Sequence, residues 1–137
     1  MSRILLVEDN EVNTRLFDML LSKTGHEVVE AQTAESGLEM AEAVSPDLII
    51  MDLQLPGEMD GLAAIRELRK RPHFATTPIL VVTAHALPEI KRAAIQAGCT
   101  DLLTKPVLAR SFRDKVAALL GQGGGGTGVE SGSAQAG

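Results

Sequence analysis

Polar side chains that can do chemistry directly follow four short apolar runs of the sequence. Glu8 and Asp9 follow "ILLV" (4–7), Asp52 follows "LIIM" (48–51), Thr83 follows "ILVV" (79–82) and Lys105 follows "DLLT" (101–104). A carboxylate placed at the end of a buried run is costly unless a cation or hydrogen bonds pair with it. The repeated placement therefore predicts one site in which acidic groups, a hydroxyl and an ammonium group meet.

Two kinds of chemistry fit these residues. If the first and third runs are neighbouring strands, three carboxylates converge, and two charges about 4 Å apart repel by roughly 4 kcal/mol at an effective dielectric of 20. Carboxylates with a backbone carbonyl suit Mg²⁺, which keeps several waters and pairs with phosphate. The Asp52 carboxylate can also attack phosphorus and hold a phosphoryl group as an acyl phosphate.

The remaining residues fit the charge of a phosphoryl group. Mg²⁺ would neutralise one phosphoryl oxygen and Lys105 another, as a point charge on a flexible stem. The hydroxyl of Thr83 and the backbone N–H that follows it would bind the third oxygen. Ala84 is small and leaves the path of the phosphoryl group open.

The apolar runs predict a parallel sheet. The runs at 4–7, 48–51 and 79–82 do not alternate apolar with polar residues, which is typical of strands covered on both faces. Two weaker candidates, "EVVEA" (27–31) and "DLLT" (101–104), are predicted to be edge or near-edge strands. The carboxyl ends of such strands share one edge of the sheet, where ligands gather in this fold class.

Helical periodicity fills the gaps between the predicted strands. Thr33 is a candidate cap for a helix that runs to Val44 and ends before Pro46, and Asp60 is a candidate cap for the third helix. Gly25, Gly98 and Gly121 are predicted stops. The predicted apolar stripes of the other helices are Val12, Leu16, Met19 and Leu20; Leu62, Ile65 and Leu68; Ile90, Ala94 and Ala97; and Leu108, Phe112, Val116 and Leu119. Five strand–helix repeats predict an α/β fold with a (βα)5 doubly wound parallel sheet.

Composition limits the possible functions. The 137 residues are 45% hydrophobic and carry a net charge of −5, which weakens any case for direct nucleic-acid binding. The single Cys99 excludes an internal disulfide, as expected in a reducing cytosol, and predicts a cytoplasmic protein. The sequence has no signal-peptide pattern and no apolar run long enough to span a membrane.

The end of the chain differs from the rest. Residues 121–137 hold eight of the 13 glycines and one charged residue, Glu130. We expect one domain over residues 1–120 and a disordered Gly/Ser-rich tail over 121–137, with no output domain.

Four segments, taken in order and with the intervals between them, resemble the receiver domain of bacterial response regulators of two-component signalling. They are "ILLVEDN", "DLIIMDLQLP", "ILVVTAHA" and "LLTKP", and the resemblance spans residues 3 to 120. It implies a flavodoxin-like sheet with strand order 2-1-3-4-5. It also implies that Asp52 accepts a phosphoryl group from a histidine kinase or a histidine phosphotransfer protein, and that a downstream protein target reads the result.

The resemblance assigns further roles to individual residues. Asp9 would bind Mg²⁺ directly, Glu8 through water, Asp52 through its carboxylate and Gln54 through its backbone carbonyl. Pro106 would follow a cis peptide bond. Gln54 and His85 occupy positions that vary in the family and tune the lifetime of the phosphorylated state.

The sequence departs from the family pattern at two places. Leu102 stands where the family usually has Tyr or Phe, three residues before the lysine. The loop "LPGEMDG" is one residue longer than the common form, with the extra residue at Gly57 or Glu58. The resemblance implies a switch in which the aromatic ring moves inward when the threonine hydroxyl shifts to the phosphoryl group, and Leu102 departs from the aromatic half of that switch. The longer loop concerns the mouth of the site or kinase docking.

Other interpretations remain open at this level. Glu8 and Asp9 are also suitable helix caps. Asp52 and Lys105 are compatible with a buried ion pair that has no chemistry, in a phosphorylation-independent adaptor. A phosphatase that turns over through an aspartyl phosphate is a third possibility, although such enzymes usually carry a second Asp where this chain has Gln54.

Overall fold

The computed structural model describes residues 2–85 and 87–121 as five parallel strands and five α-helices in alternation. The strands are β1 (Arg3–Val7), β2 (Glu27–Ala31), β3 (Leu48–Met51), β4 (Ile79–Thr83) and β5 (Asp101–Thr104). The helices are α1 (Glu11–Ser22), α2 (Ala34–Val44), α3 (Gly61–Lys70), α4 (Pro88–Ala97) and α5 (Ala109–Gly121), and a short 3-10 helix spans Pro72–Phe74. The sheet order is β2-β1-β3-β4-β5, which confirms the predicted fold class.

The continuous apolar strands are explained by two core layers. Alternate residues of β1, such as Leu5 and Val7, pack with α2, α3 and α4, whereas Ile4 and Leu6 pack with α1 and α5. Both faces of the central strands are therefore dry, so neither face tolerates polar residues. A polar side chain can follow such a strand only where the strand reaches the rim of the sheet.

The apolar stripe predicted for α1 is wrong at three of its four positions. Val12, Leu16 and Met19 are 74%, 39% and 49% exposed. The buried face instead holds Thr14, Phe17, Leu20 and Leu21. The Phe17 ring, which stacks on Phe112 of α5 at a centroid distance of 4.8 Å, sets this rotation of the helix.

The ends of the other helices agree closely with the sequence. Thr33 caps α2 in a reciprocal capping box with Ser36, and Asp60 accepts a hydrogen bond from the N–H of Ala63 at the start of α3. Gly98 ends α4 with φ 117°. Leu108, predicted to begin the stripe of α5, is exposed and precedes that helix.

The predicted tail lies almost entirely outside the described residues. Gly121, assigned to the tail from the sequence, is the last residue of α5. Residues 122–137 are not among those that the structure describes. Within residues 2–85 and 87–121, no helix is long and apolar enough to cross a membrane.

Arg69 joins three segments of the chain at the edge of the sheet opposite the acidic residues. Its guanidinium donates to the carbonyl oxygens of Gly98 (2.9 Å), Phe74 (2.6 Å) and Thr77 (2.8 Å). These carbonyls belong to the end of α4, the 3-10 helix and the approach to β4, so one side chain joins three segments. The sequence of residues 66–71, "RELRKR", predicts a solvated helix face, and the contacts of Arg69 show that this holds for only part of the run.

We expect Arg69→Met to lower the free energy of unfolding by about 2 kcal/mol, because three carbonyl groups lose a charged donor. Urea unfolding followed by circular dichroism measures the change. Arg66→Met on the exposed face of the same helix is the control and should stay within about 0.5 kcal/mol of the wild type. Equal stability of the two variants would contradict this role of Arg69.

Candidate functional site

The site lies at the carboxyl edge of the three central strands and β5. Val7 pairs with Met51 at the ends of β1 and β3, and the N–H of Asp52 donates to the carbonyl oxygen of Val7 over 3.1 Å. On the other side, the N–H of Lys105 donates to the carbonyl oxygen of Thr83 over 2.8 Å. The sheet's own hydrogen bonds therefore bring the polar residues together.

A salt-bridge triad forms the centre of the site. The Lys105 ammonium lies 2.8 Å from Oδ2 of Asp52 and 2.9 Å from Oε1 of Glu8. Asp52 is 6% exposed and Glu8 is 2% exposed. Two nearly buried carboxylates thus share one cation, which reduces the cost of burying them.

The pKa of Lys105 reflects this environment. Burial lowers the pKa of the ammonium, but the hydrogen bonds and charges of Asp52 and Glu8 outweigh burial and raise the pKa above its usual value. The stabilisation that a raised lysine pKa provides is complete below the unfolded-state pKa and is lost only as pH rises through the folded-state value. The ammonium therefore stays charged throughout the neutral range.

The two buried carboxylates also accept backbone hydrogen bonds from the turns that follow them. Oδ1 of Asp52 accepts from the N–H of Gln54 at 3.0 Å, and Oε2 of Glu8 accepts from the N–H of Asn10 at 3.0 Å. The Asn10 side chain caps α1 by accepting from the N–H of Asn13. Asn10, rather than Glu8 or Asp9, is therefore the cap of α1, and the capping interpretation of the acidic pair is wrong.

Asp9 completes the acidic group and is exposed to solvent. One oxygen each from Glu8, Asp9 and Asp52 can be chosen so that all three lie within 4.8 Å of one another. Three carboxylate oxygens at this spacing fit a hard divalent cation that retains part of its water. The residues present are therefore suitable for Mg²⁺, and the exposed Asp9 gives access from solvent.

Thr83 is fully buried at the end of β4, whereas Ala84 after it is exposed. The hydroxyl of Thr83 accepts a hydrogen bond from the N–H of His85 over 3.3 Å. Thr83 also lines a cavity of about 160 Å³. The cavity is lined by Leu53, Gln54, Asp60, Leu62, Thr83, His85 and Ile90.

The structure also locates the two departures from the family pattern. Leu102 is half-buried on β5 and packs against the core layer of α2, α3 and α4. The long loop after β3 turns at Gly57, where φ is +98°, a conformation that favours glycine. The peptide bond between Lys105 and Pro106 is cis, as the resemblance implies.

Gly61 is a site residue that the sequence reasoning missed. A Cβ on this glycine would overlap the carbonyl oxygen of Asp52 and lie 2.7 Å from the Cα of Leu53. The N–H of Gly61 donates to the carbonyl oxygen of Leu53 over 3.1 Å. The start of α3 is thus packed directly on the backbone of Asp52, and its place after the Asp60 cap was the only available signal.

Comparison with known proteins identifies the family. The model of the response regulator receiver domain matches residues 4–117. This chain belongs to the response regulator receiver family. Receiver domains function in two-component signalling, and the family is one of regulators and not of catalytic enzymes.

Individual relatives agree with this assignment. The polar-differentiation response regulator DivK of Brucella ovis is 33% identical over 118 residues, which cover 86% of this chain and 95% of that protein. The receiver domain of the sensor histidine kinase PA1611 from Pseudomonas aeruginosa, solved with a magnesium ion in its active-site cleft, is 33% identical with a TM-score of 0.81. That match covers 88% of this chain and 98% of the other.

A third relative confirms the fold at lower identity. The chemotaxis protein CheY4 of Vibrio cholerae is 28% identical, with a TM-score of 0.82 over 88% of this chain and 99% of the other. The acidic group Glu8, Asp9 and Asp52 is thus the acidic pocket of a receiver domain and is typical of a receiver magnesium site.

We expect Gly61→Ala to destabilise the protein by about 1–3 kcal/mol and to weaken Mg²⁺ binding, because the added methyl displaces the backbone of Asp52. Urea unfolding and a magnesium titration followed by NMR measure the two effects. Gly121→Ala is the control, since a Cβ there has no neighbour within 4 Å among the residues that the structure describes. Wild-type stability and Mg²⁺ affinity in Gly61→Ala would refute the close packing.

Proposed function

We propose that this receiver domain is a phosphorylation switch and that Asp52 is its phosphoacceptor. The arrangement of Asp52 carries the proposal: its nearly buried carboxylate contacts the Lys105 ammonium at 2.8 Å and lies beside two further carboxylates. The phosphoryl donor is a histidine kinase or a histidine phosphotransfer protein, the kind of partner that a receiver domain implies.

In the proposed reaction, a carboxylate oxygen of Asp52 attacks the phosphorus of the donor. A bond forms between that oxygen and phosphorus, while the bond from phosphorus to the donor nitrogen breaks and its electron pair stays on the donor imidazole. Lys105 would neutralise one phosphoryl oxygen, and the Thr83 hydroxyl, whose oxygen now accepts from the N–H of His85, would donate a hydrogen bond to another. The exposed Ala84 leaves this approach free.

Glu8, Asp9, Asp52 and the carbonyl of Gln54 would hold Mg²⁺. When bound, Mg²⁺ supplies positive charge that offsets both the acidic pocket and the phosphoryl oxygens. Because the Lys105 ammonium already contacts Glu8 and Asp52, these carboxylates are pre-arranged around positive charge. Asp9, which is exposed, is the carboxylate most accessible to an incoming ion.

Phosphorylation would change which protein surface is presented to a downstream target. When Thr83 turns its hydroxyl toward a phosphoryl group, the turn at His85 loses its hydrogen bond and the start of α4 loses a constraint. Leu102 has neither ring nor hydroxyl, so the aromatic half of the usual receiver switch cannot operate here. We propose that the signal passes through protein contacts and that the protein acts in the cytoplasm.

The alternatives are less well supported by the site. A phosphatase of the aspartyl-phosphate type would need a general acid near Asp52, and the position two residues on is Gln54. An adaptor that is never phosphorylated would not need the exposed Asp9 beside the buried triad.

We expect incubation with Mg²⁺ and acetyl phosphate to add one phosphoryl group to the protein. Intact-mass spectrometry measures the gain, and Asp52→Asn should abolish it because an amide is a poor nucleophile. An unchanged mass, together with failure to bind beryllofluoride, would favour the adaptor. Continuous turnover of a phosphate ester would favour the phosphatase.

The exposed apolar stripe of α1 supports a docking role at the mouth of the site. Val12 lies three residues after Asp9 and shares its helix face with Leu16, and the exposed Leu108 lies three residues after Lys105. A phosphoryl donor must cover this mouth to reach Asp52. We propose that the stripe contacts an apolar surface of the donor protein, which would remove these side chains from water.

We expect the double variant Val12→Ser and Leu16→Ser to slow phosphoryl transfer from a histidine kinase by roughly tenfold at low kinase concentration, because the variant buries less apolar surface against the kinase. Its labelling by acetyl phosphate should be unchanged. Ile95→Ser, at an exposed apolar position on α4, is the control and should keep the wild-type rate. A defect in both reactions, or in neither, would contradict the docking role.

A further inference from the structure

The middle of the long loop after β3 has few hydrogen bonds. At one end the N–H of Gln54 donates to Asp52, and at the other the N–H of Gly61 donates to Leu53. Among the described hydrogen bonds of residues 55–59, only that of the Met59 N–H reaches another element of the fold. An extra residue in such a loop increases its conformational freedom unless something holds it.

Glu35 in the first turn of α2 makes the connection to this loop. Its Oε2 accepts the N–H of Met59 at 3.3 Å. Its Oε1 would lie 3.4 Å from a Cβ built on Gly57, so the carboxylate also lies against the turn with positive φ. One side chain therefore meets the loop at two points, on either side of the residue Glu58.

The support for this carboxylate is rigid. The start of α2 is fixed by the capping box of Thr33 and Ser36, and a negative charge is favourable in the first turn of a helix. Gly37, one helical turn from Thr33, packs tightly against Val7 of β1. Glu35 thus projects from an element that is itself held against the sheet beside the acidic pocket.

We propose that Glu35 is a positioning residue that anchors the lengthened loop to α2 and thereby sets the place of Gln54 at the acidic pocket. The proposal rests on the proposed function, because Gln54 matters as a ligand only if the pocket binds Mg²⁺ for phosphorylation. Without the anchor, the loop samples more positions, and the carbonyl of Gln54 is less often in place. The affinity for Mg²⁺ would then fall, whereas the reactivity of the Asp52 carboxylate in the Mg²⁺-bound protein would stay the same.

The experiment compares Glu35→Ala and Glu35→Gln with the wild type. The Gln side chain keeps an oxygen that can accept from Met59, whereas Ala does not. Glu39→Ala, an exposed glutamate on the same helix, is the control for charge and for helix stability. The measurements are amide hydrogen exchange at Met59, the magnesium dissociation constant without phosphoryl donor, and the initial rate of labelling by acetyl phosphate.

We expect Glu35→Ala to speed exchange at Met59 by roughly threefold or more and to weaken Mg²⁺ binding by roughly two- to fivefold, as loss of one exposed hydrogen bond would do. The labelling rate at low Mg²⁺ should fall by the same factor and recover at saturating Mg²⁺. Glu35→Gln should remain near the wild type in all three measurements, and Glu39→Ala should change none.

Unchanged exchange at Met59 in Glu35→Ala, or an equal loss of Mg²⁺ affinity in Glu39→Ala, would overturn the anchoring role. A labelling defect in Glu35→Ala that persists at saturating Mg²⁺ would also overturn it. If the wild type bound no Mg²⁺ and accepted no phosphoryl group, the proposed function would fail. The effect at Met59 alone would then show a structural tether without a positioning role.

Discussion

The ammonium of Lys105 makes the buried edge of this sheet possible. Glu8 and Asp52 are buried at the ends of two strands whose side chains are apolar on both faces. Burying either charge unpaired would cost several kcal/mol. A single lysine, brought beside them by β5, compensates both. Because strands β1, β3 and β5 must all be in place for this contact, the triad also links distant parts of the chain.

Much of the fold follows from residue pattern alone. Runs such as "LIIM" have no polar face, so they can form only the inside of a doubly covered parallel sheet, and their ends then share one edge. The side chains of Thr33 and Asp60 each accept a hydrogen bond from the N–H three residues later, so these helix caps can be predicted from the local sequence. The acidic pocket was predictable for the same reason, since each of its members lies within two residues of the end of a strand.

The features that the sequence predicted wrongly or did not predict depend on contacts between distant parts of the chain. The stripe of α1 was assigned by counting apolar residues, but stacking of Phe17 on Phe112 decides which side of the helix is buried. That contact joins residues 95 positions apart, and no local period reveals it. The same holds for Arg69, whose carbonyl partners lie in three segments, and for Gly61, whose close neighbour is a backbone atom of Asp52.

The two ends of α4 are held very differently. At the carboxyl end of α4, the carbonyl oxygen of Gly98 accepts a hydrogen bond from Arg69. At the start of the helix, Leu87 is exposed and its side chain provides no cap. The small cavity lined by Thr83 and Ile90 lies near that start. Because Arg69 holds the Gly98 end of α4 and the Leu87 side chain does not cap the other end, we expect a displacement beside the acidic pocket to move this helix most at its start and least at Gly98.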